Sequence, residues 1–333
     1  AKVGAITVKD AIVGLEHHDP TDVIVVISKP PAKEVRDEVV ALLQKCTKPV
    51  VAIFLGEKPE NHEGKVYLAH TLEETARMAV DLANGDPIKD NYCDPIDYEV
   101  SRPLAADKTV KGLYSGGSLA AEAGMLIAEA LNLGGLIKEE GYILKTGGYE
   151  VVDLGDDVYT QGKPHPMIDP EVRIKKILEC AKDPQTGVIL LDCMLGYGCH
   201  PAMAGALAPA IREAQKIAKA DGRELYFVAS VCGTRQDPQD YDRAVAELKE
   251  CGVLVEESNA RAIRLALKLK GIDYKENTRG HVEAAVDETP LPEPDEKIME
   301  LLNTKPRVIN VGVRSFNDSI VAYNGTSVQF DWK

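Results

Sequence analysis

Positive charge is in short supply in this chain. Its 39 lysines and arginines face 53 aspartates and glutamates, a formal net charge of −14. That balance excludes nucleic acid and an anionic membrane surface as partners. A small anionic substrate must then be held by local devices, helix N-termini and single cations. Aromatics are few, at 5% of the residues, within a composition otherwise ordinary for a soluble globular protein. No apolar run reaches membrane length and no signal-peptide pattern is present, so a cytoplasmic location is expected. Cysteine pairs at metal or redox spacing are also missing. Cys46, Cys93, Cys180, Cys193, Cys199, Cys232 and Cys251 are scattered, odd in number and mostly inside apolar runs. Reduced core thiols are expected, and no metal site.

What is present is an alternation of strand and helix signals along 333 residues, enough for two domains or three. Helical spacing covers 1–18, and 23–27 is a β-branched run of the kind buried in parallel sheets. A helix at 32–44, strands at 50–55 and 66–68, and a helix capped by Thr71 through 82 complete a doubly wound pattern. Residues 84–108, rich in Asp, Pro and Asn, read as a linker. A second series follows, with strands at 110–114, 149–152, 188–194, 224–231 and 252–255. Its helices are expected at 119–131, 171–180, from about 200 through 219, 239–249 and 258–269. An acidic, Pro-containing excursion is expected at 273–304, then a C-terminal strand region at 305–333 that shows no evident terminating element. The modules are 1–83 and 109–272.

The stretch around which the chemistry collects is 153–170. It contains Gly155, Asp156, Asp157, Gly162, Lys163, Pro164, His165, Pro166, Asp169 and Pro170. Glycines permit unusual backbone shapes and prolines stiffen the path. A rigid polar loop after a strand is where α/β proteins usually hold a ligand. Asp169-Pro170 alone reads as plain capping of the next helix.

Two stretches repeat. Asp19-Pro20-Thr21 leading into the strand at 23–27 matches Asp183-Pro184-Gln185-Thr186 leading into that at 188–194. The offset is about 165 residues, domain-sized rather than a solenoid period. The second copy has two strand–helix units ahead of this turn and the first copy has only a helix. A first module lacking its front half is therefore expected, with a module that evolved short as the alternative.

Ser115-Gly116-Gly117-Ser118-Leu119 with Glu122-Ala123, together with Lys182-Asp183-Pro184-Gln185-Thr186, resembles the CoA-ligase modules of succinyl-CoA synthetases. Asp153-Leu154-Gly155-Asp156-Asp157, Pro164-His165-Pro166-Met167-Ile168-Asp169-Pro170, Gly196-Tyr197-Gly198, Val231-Cys232-Gly233-Thr234 and Ile309-Asn310-Val311-Gly312 together resemble the FdrA family more closely. The resemblance implies two flavodoxin-like α/β modules behind a CoA-binding-type Rossmann domain. It also implies an acyl-CoA synthetase-like activity in purine and allantoin nitrogen use, oxalurate and phosphate giving oxamate and carbamoyl phosphate.

A succinyl-CoA synthetase relays phosphate through a histidine. The corresponding loop, 57–64, lacks a Gly-His-Ala-Gly pattern, and His62 stands among acids, which reads as a surface residue. The anion sites carry over better. Ser115, Gly116, Gly117 and Ser118, and Gly196, Tyr197, Gly198 and His200, lie between a strand and a helix, where amides and the helix dipole favour phosphate or carboxylate. Their bland reading is a tight turn using glycine for geometry. Gly233, Thr234 and Arg235 add a flexible turn, a hydroxyl and a guanidinium. In a carbamoyl or acyl transfer, Lys163 and Arg235 neutralise charge, His165 or Asp157 moves the proton, and Gly155 and Asp156 contact substrate. Phosphate is then a substrate. CoA and a nucleotide enter only if the protein is an NDP-forming acyl-CoA ligase. A non-catalytic, anion-binding assembly subunit is the third reading, and other enzyme subunits and an oligomer are expected.

Overall fold

Runs of β-branched residues between amphipathic helices become parallel strands covered on both faces. A computed structural model of the chain describes residues 3–134, 136, 137, 139–275, 278–283 and 289–331. Trp332, Lys333 and parts of the 273–304 stretch lie outside the described residues. The chain forms two compact units, Ala1–Cys93 with Glu276–Lys333, and Asp94–Lys275.

Unit one begins with α1 (Ile6–His17), β1 (Ile24–Ser28), α2 (Lys33–Leu43), β2 (Val50–Phe54), β3 (Asn61–Glu63), β4 (Val66–Leu68) and α3 (Leu72–Ala83). β2 is buried along its whole length. One of its faces packs with Ile12, Val39, Val40 and Leu43, the other with Met78 and Tyr92. The Thr71 hydroxyl caps α3 by accepting from the Glu74 amide, as its sequence position predicts.

Unit two comprises β5 (Thr109–Tyr114), α4 (Gly117–Leu131), β6 (Tyr142–Thr146), β7 (Tyr149–Asp153), the short α5 (Asp157–Thr160), α6 (Glu171–Lys182), β8 (Thr186–Met194), α7 (Met203–Ala220), β9 (Tyr226–Cys232), α8 (Tyr241–Glu250), β10 (Val253–Glu256) and α9 (Asn259–Leu269). Its sheet has the order β10-β9-β8-β5-β7-β6, parallel except for the β6–β7 hairpin. β6 was not expected. Its signal is Gly147-Gly148, both at positive φ, the residue type a tight hairpin turn requires. Residues 94–108 lie along this unit, with the Leu104 amide donating to the Leu269 carbonyl and Lys268 donating to the Ile96 carbonyl.

The chain then returns to unit one with β11 (Gly280–Val282), α10 (Glu296–Asn303), β12 (Arg307–Val311), α11 (Arg314–Ala322) and β13 (Thr326–Phe330). Part of the stretch expected as an exposed excursion is thus built into a sheet. β11 pairs with β3, and Arg279 beside it forms a buried ion pair with Glu74. The unit-one sheet has the order β1-β2-β4-β3-β11, and β12 and β13 make a separate parallel pair. β1-β2-β4 in one unit and β8-β9-β10 in the other are each a run of neighbouring parallel strands. The fold is the expected α/β class with mainly parallel sheets.

His62, expected at the surface, is half-buried. Its Nδ1 accepts from the Leu68 amide at 3.0 Å, and its ring stands edge-on to Tyr67. Burial, with the charges of Arg279 and His281 adding to it, lowers its pKa from 6.5 to about 4. Below 6.5 the unfolded chain takes a proton that the folded imidazole refuses until about 4, so folding stability falls as pH falls through that window. Thermal melts from pH 7 to pH 4 are expected to show a smaller downward shift for His62→Gln than for the wild type.

Candidate active site

In unit two β5 continues through α4 to β7 on one side, while β8 lies on its other side and leads to β9 and β10. The strand order therefore reverses between β5 and β8, the place where open α/β sheets leave a crevice outside the carboxyl ends of the strands. The loops at those ends are 115–116, 154–170, 195–202 and 233–240. Every candidate residue of the sequence analysis lies on one of them or in the first turn of α4.

Asp192, near the end of β8, is fully buried and organises the crevice floor. Its carboxylate accepts from the Ser115 amide at 2.9 Å, the Ser115 hydroxyl at 3.0 Å and the Gly116 amide at 2.8 Å. Arg173 of α6, also fully buried, donates through Nη2 to Asp192 Oδ1 at 3.0 Å and to the Asp192 carbonyl at 2.6 Å. A Cβ at Gly116 would lie 3.2 Å from Asp192 Oδ2, so glycine is what lets this amide come close. The Ser115 and Gly116 amides, expected to be open to an anion, are thus already given to a carboxylate of the protein. Gly117 and Ser118, half-buried in the first turn of α4, keep amides without a helical acceptor.

His165 is brought against this floor. Its Nδ1 accepts from the Met167 amide at 3.2 Å, which leaves Nε2 to carry the proton of the neutral ring. Nε2 abuts Gly155: a Cβ there would meet it at 2.5 Å and the Ser115 carbonyl at 2.9 Å. Gly155→Ala is therefore expected to push His165 and the Ser115 loop apart and to destabilise unit two by about 1–3 kcal/mol, the usual scale of overpacking. A urea titration followed by circular dichroism measures the stability change.

The β7 and β8 loops are tied together by the His200 amide, which donates to the Met167 carbonyl at 2.7 Å. His200 Nδ1 accepts from the Ala202 amide, so its Nε2 is the donor in the neutral form. Gln239 reaches in from the β9 loop. It accepts from the Gly196 amide and donates to the Gly196 and His200 carbonyls. Asp237 accepts from the Thr234 amide. The Gly196 and Thr234 amides are therefore also used internally. Gly196 and Gly198 hold φ of 129° and 83°, shapes that favour glycine, and Tyr197 between them is exposed.

Other expected residues stand at the rim or outside the crevice. Asp156 caps α5 by accepting from the Val158 amide, and Asp156, Asp157 and Lys163 are all exposed. The expected loop contains this helical turn because Asp156 satisfies its first amide. Arg235 does not join His165. It pairs with Asp242 at 3.0 Å, stacks over Tyr241 at 5.5 Å and, with Gly233 and Thr234, lines a separate cavity of about 470 Å3. Burial, then Asp237 and Asp192, raise the Cys199 thiol above its ordinary pKa, which disfavours a nucleophilic thiolate. Among the described residues no group of three or more His, Cys, Asp or Glu could hold a metal, and no helix is long and apolar enough to cross a membrane. The residues missed from sequence are Asp192, Arg173, Gln239 and Asp237.

Fold and crevice together define a class. Residues 113–269, nearly all of the sheet and helices of unit two, match the CoA-ligase family model, so this unit is a succinyl-CoA synthetase-like CoA-ligase domain. A particular relative extends the likeness beyond it. YahF, an uncharacterized protein of Escherichia coli strain K12, is 35% identical over 282 residues, covering 80% of this chain and 54% of YahF. The chain thus spans about half the length of that curated relative.

Proposed function

We propose that this protein is an enzyme subunit that transfers a carbamoyl group, or a closely related acyl group, to phosphate, of the FdrA type in purine and allantoin nitrogen use. The observation that carries the reading is the His165 imidazole, whose Nε2–H donor is seated against the Ser115 loop at the strand-order reversal. In the proposed reaction a phosphate oxygen attacks the carbamoyl carbon of oxalurate and the carbon–nitrogen bond breaks. Oxamate leaves and carbamoyl phosphate forms. The proton lost by phosphate passes to the departing nitrogen, and His165 Nε2–H, a donor in this tautomer, holds the two groups together by a hydrogen bond. The first-turn amides of Gly117 and Ser118 and the Nε2 donor of His200 face the developing oxyanion. The Gly196-Tyr197-Gly198 turn shapes the other wall. Asp157 and Lys163 offer charge from the rim, and Gly155 and Asp156 set the approach to His165. Other subunits and an oligomer complete the enzyme.

The CoA-ligase family match favours a second reading, an NDP-forming acyl-CoA ligase, which brings in CoA and a nucleotide. Incubation with carbamoyl phosphate and oxamate, alone and with candidate partner subunits, separates the two. Oxalurate formed without CoA or nucleotide supports transfer. Thioester formed only with CoA and nucleotide supports the ligase.

A further inference from the structure

We propose that the Ser115–Gly116 cradle is a phosphoryl-oxyanion site that Asp192 occupies in the ligand-free protein, and that Arg173 takes over Asp192 when the ligand enters. The Asp192 carboxylate makes the contacts of a bound anion: two loop amides and a hydroxyl at the start of α4. It is a placeholder of the right charge, and a phosphoryl group cannot share the cradle with it, because like charges at contact repel. Asp192 therefore needs somewhere to go.

Arg173 supplies that place. Its side chain is wholly buried and its Nη2 already touches Asp192, yet its Nε and Nη1 have no hydrogen-bond partner. Idle donors on a buried cation are costly. They are also what a carboxylate needs to move from one shared contact to a two-point pairing with the guanidinium fork. Ser230, the register partner of Asp192 on β9, is likewise buried with an unpartnered hydroxyl. Spare donors are thus present on the cation that already touches Asp192 and on its neighbour in the adjacent strand. Displacement exchanges the amides for Arg173 and opens the amides and the Ser115 hydroxyl to the ligand. The Gly117 and Ser118 amides flank the entry, and His165 Nε2 lies behind Gly155. This inference rests on the reading of the crevice as a phosphate site and adds how that site is kept closed.

The test is calorimetric binding of inorganic phosphate. Asp192→Asn removes the competing charge and leaves Arg173 without a counter-ion, so phosphate is expected to bind at least tenfold more tightly than to the wild type. In the Asp192→Asn/Arg173→Met double variant most of that gain is expected to disappear. A folded Asp192→Asn protein that binds phosphate no better than wild type overturns the proposal. Should that variant not fold, the wild type decides. High phosphate is expected to move the guanidinium NMR signals assigned to Arg173 by their loss in Arg173→Lys, and unmoved signals overturn the proposal. Because no turnover is measured, absence of carbamoyl transfer with tightened phosphate binding would count against the reaction and not against the site.

Discussion

Arg173→Met is expected to lower the stability of unit two by about 3–5 kcal/mol, the scale seen when one partner of a buried ion pair is removed. Arg173 and Asp192 are both fully buried, so the surviving carboxylate has no solvent to turn to. It keeps the Ser115 and Gly116 donors but loses its counter-charge, and the Asp192 and Leu113 carbonyls lose the Arg173 donor. Adding Asp192→Asn to Arg173→Met removes the stranded charge, so the double variant is expected to be more stable than Arg173→Met alone. Hydrogen exchange of the β8 and β9 amides reads this unit by itself. Equal protection in wild type and Arg173→Met would show that the pair contributes nothing.

The second large effect concerns His165. His165→Ala is expected to reduce turnover by about 10²–10³-fold, the range for loss of one positioned hydrogen-bond donor. Binding of phosphate should change little, because the anion contacts come from Ser115, Gly117 and Ser118. Arg235→Ala serves as the comparison. Arg235 is spent on Asp242 and Tyr241, so its loss is expected to leave turnover within about threefold, since surface pairs contribute little. Equal losses for both variants would mean that the crevice is not where the proton moves.

The sequence is informative where a local pattern decides the structure. The apolar run at 188–194 is β8, the Ser258 cap starts α9 through the Arg261 amide, and the glycine-rich turns fall between strands and helices. Asp169-Pro170 does begin a helix, with Asp169 accepting from the Glu171 amide. The floor of the site was hidden because its contacts are long-range. Asp192 sits at the end of an apolar strand and meets Ser115 across 77 residues. Arg173 stands on the i, i+4, i+7 face it shares with Ile177 and Cys180, but its charge argues for exposure and masks that spacing. The neighbours of Arg235 were equally hidden, because its loop alone does not show that Asp242 and Tyr241 come against the guanidinium. β3 and β11 were not read because Asn61-His62-Glu63 and Gly280-His281-Val282 lack the apolar residues that mark the equally short β4.

The central claim is direct attack of phosphate on a carbamoyl carbon in this crevice. The measurement that tests it most directly uses oxygen-labelled phosphate and oxalurate with the protein and its partner subunits, reading the label in the products by mass spectrometry. Direct attack predicts that carbamoyl phosphate keeps all of the phosphate label and oxamate carries none, with neither CoA nor nucleotide added. Label lost from the carbamoyl phosphate, or product formed only with CoA and nucleotide, would contradict it.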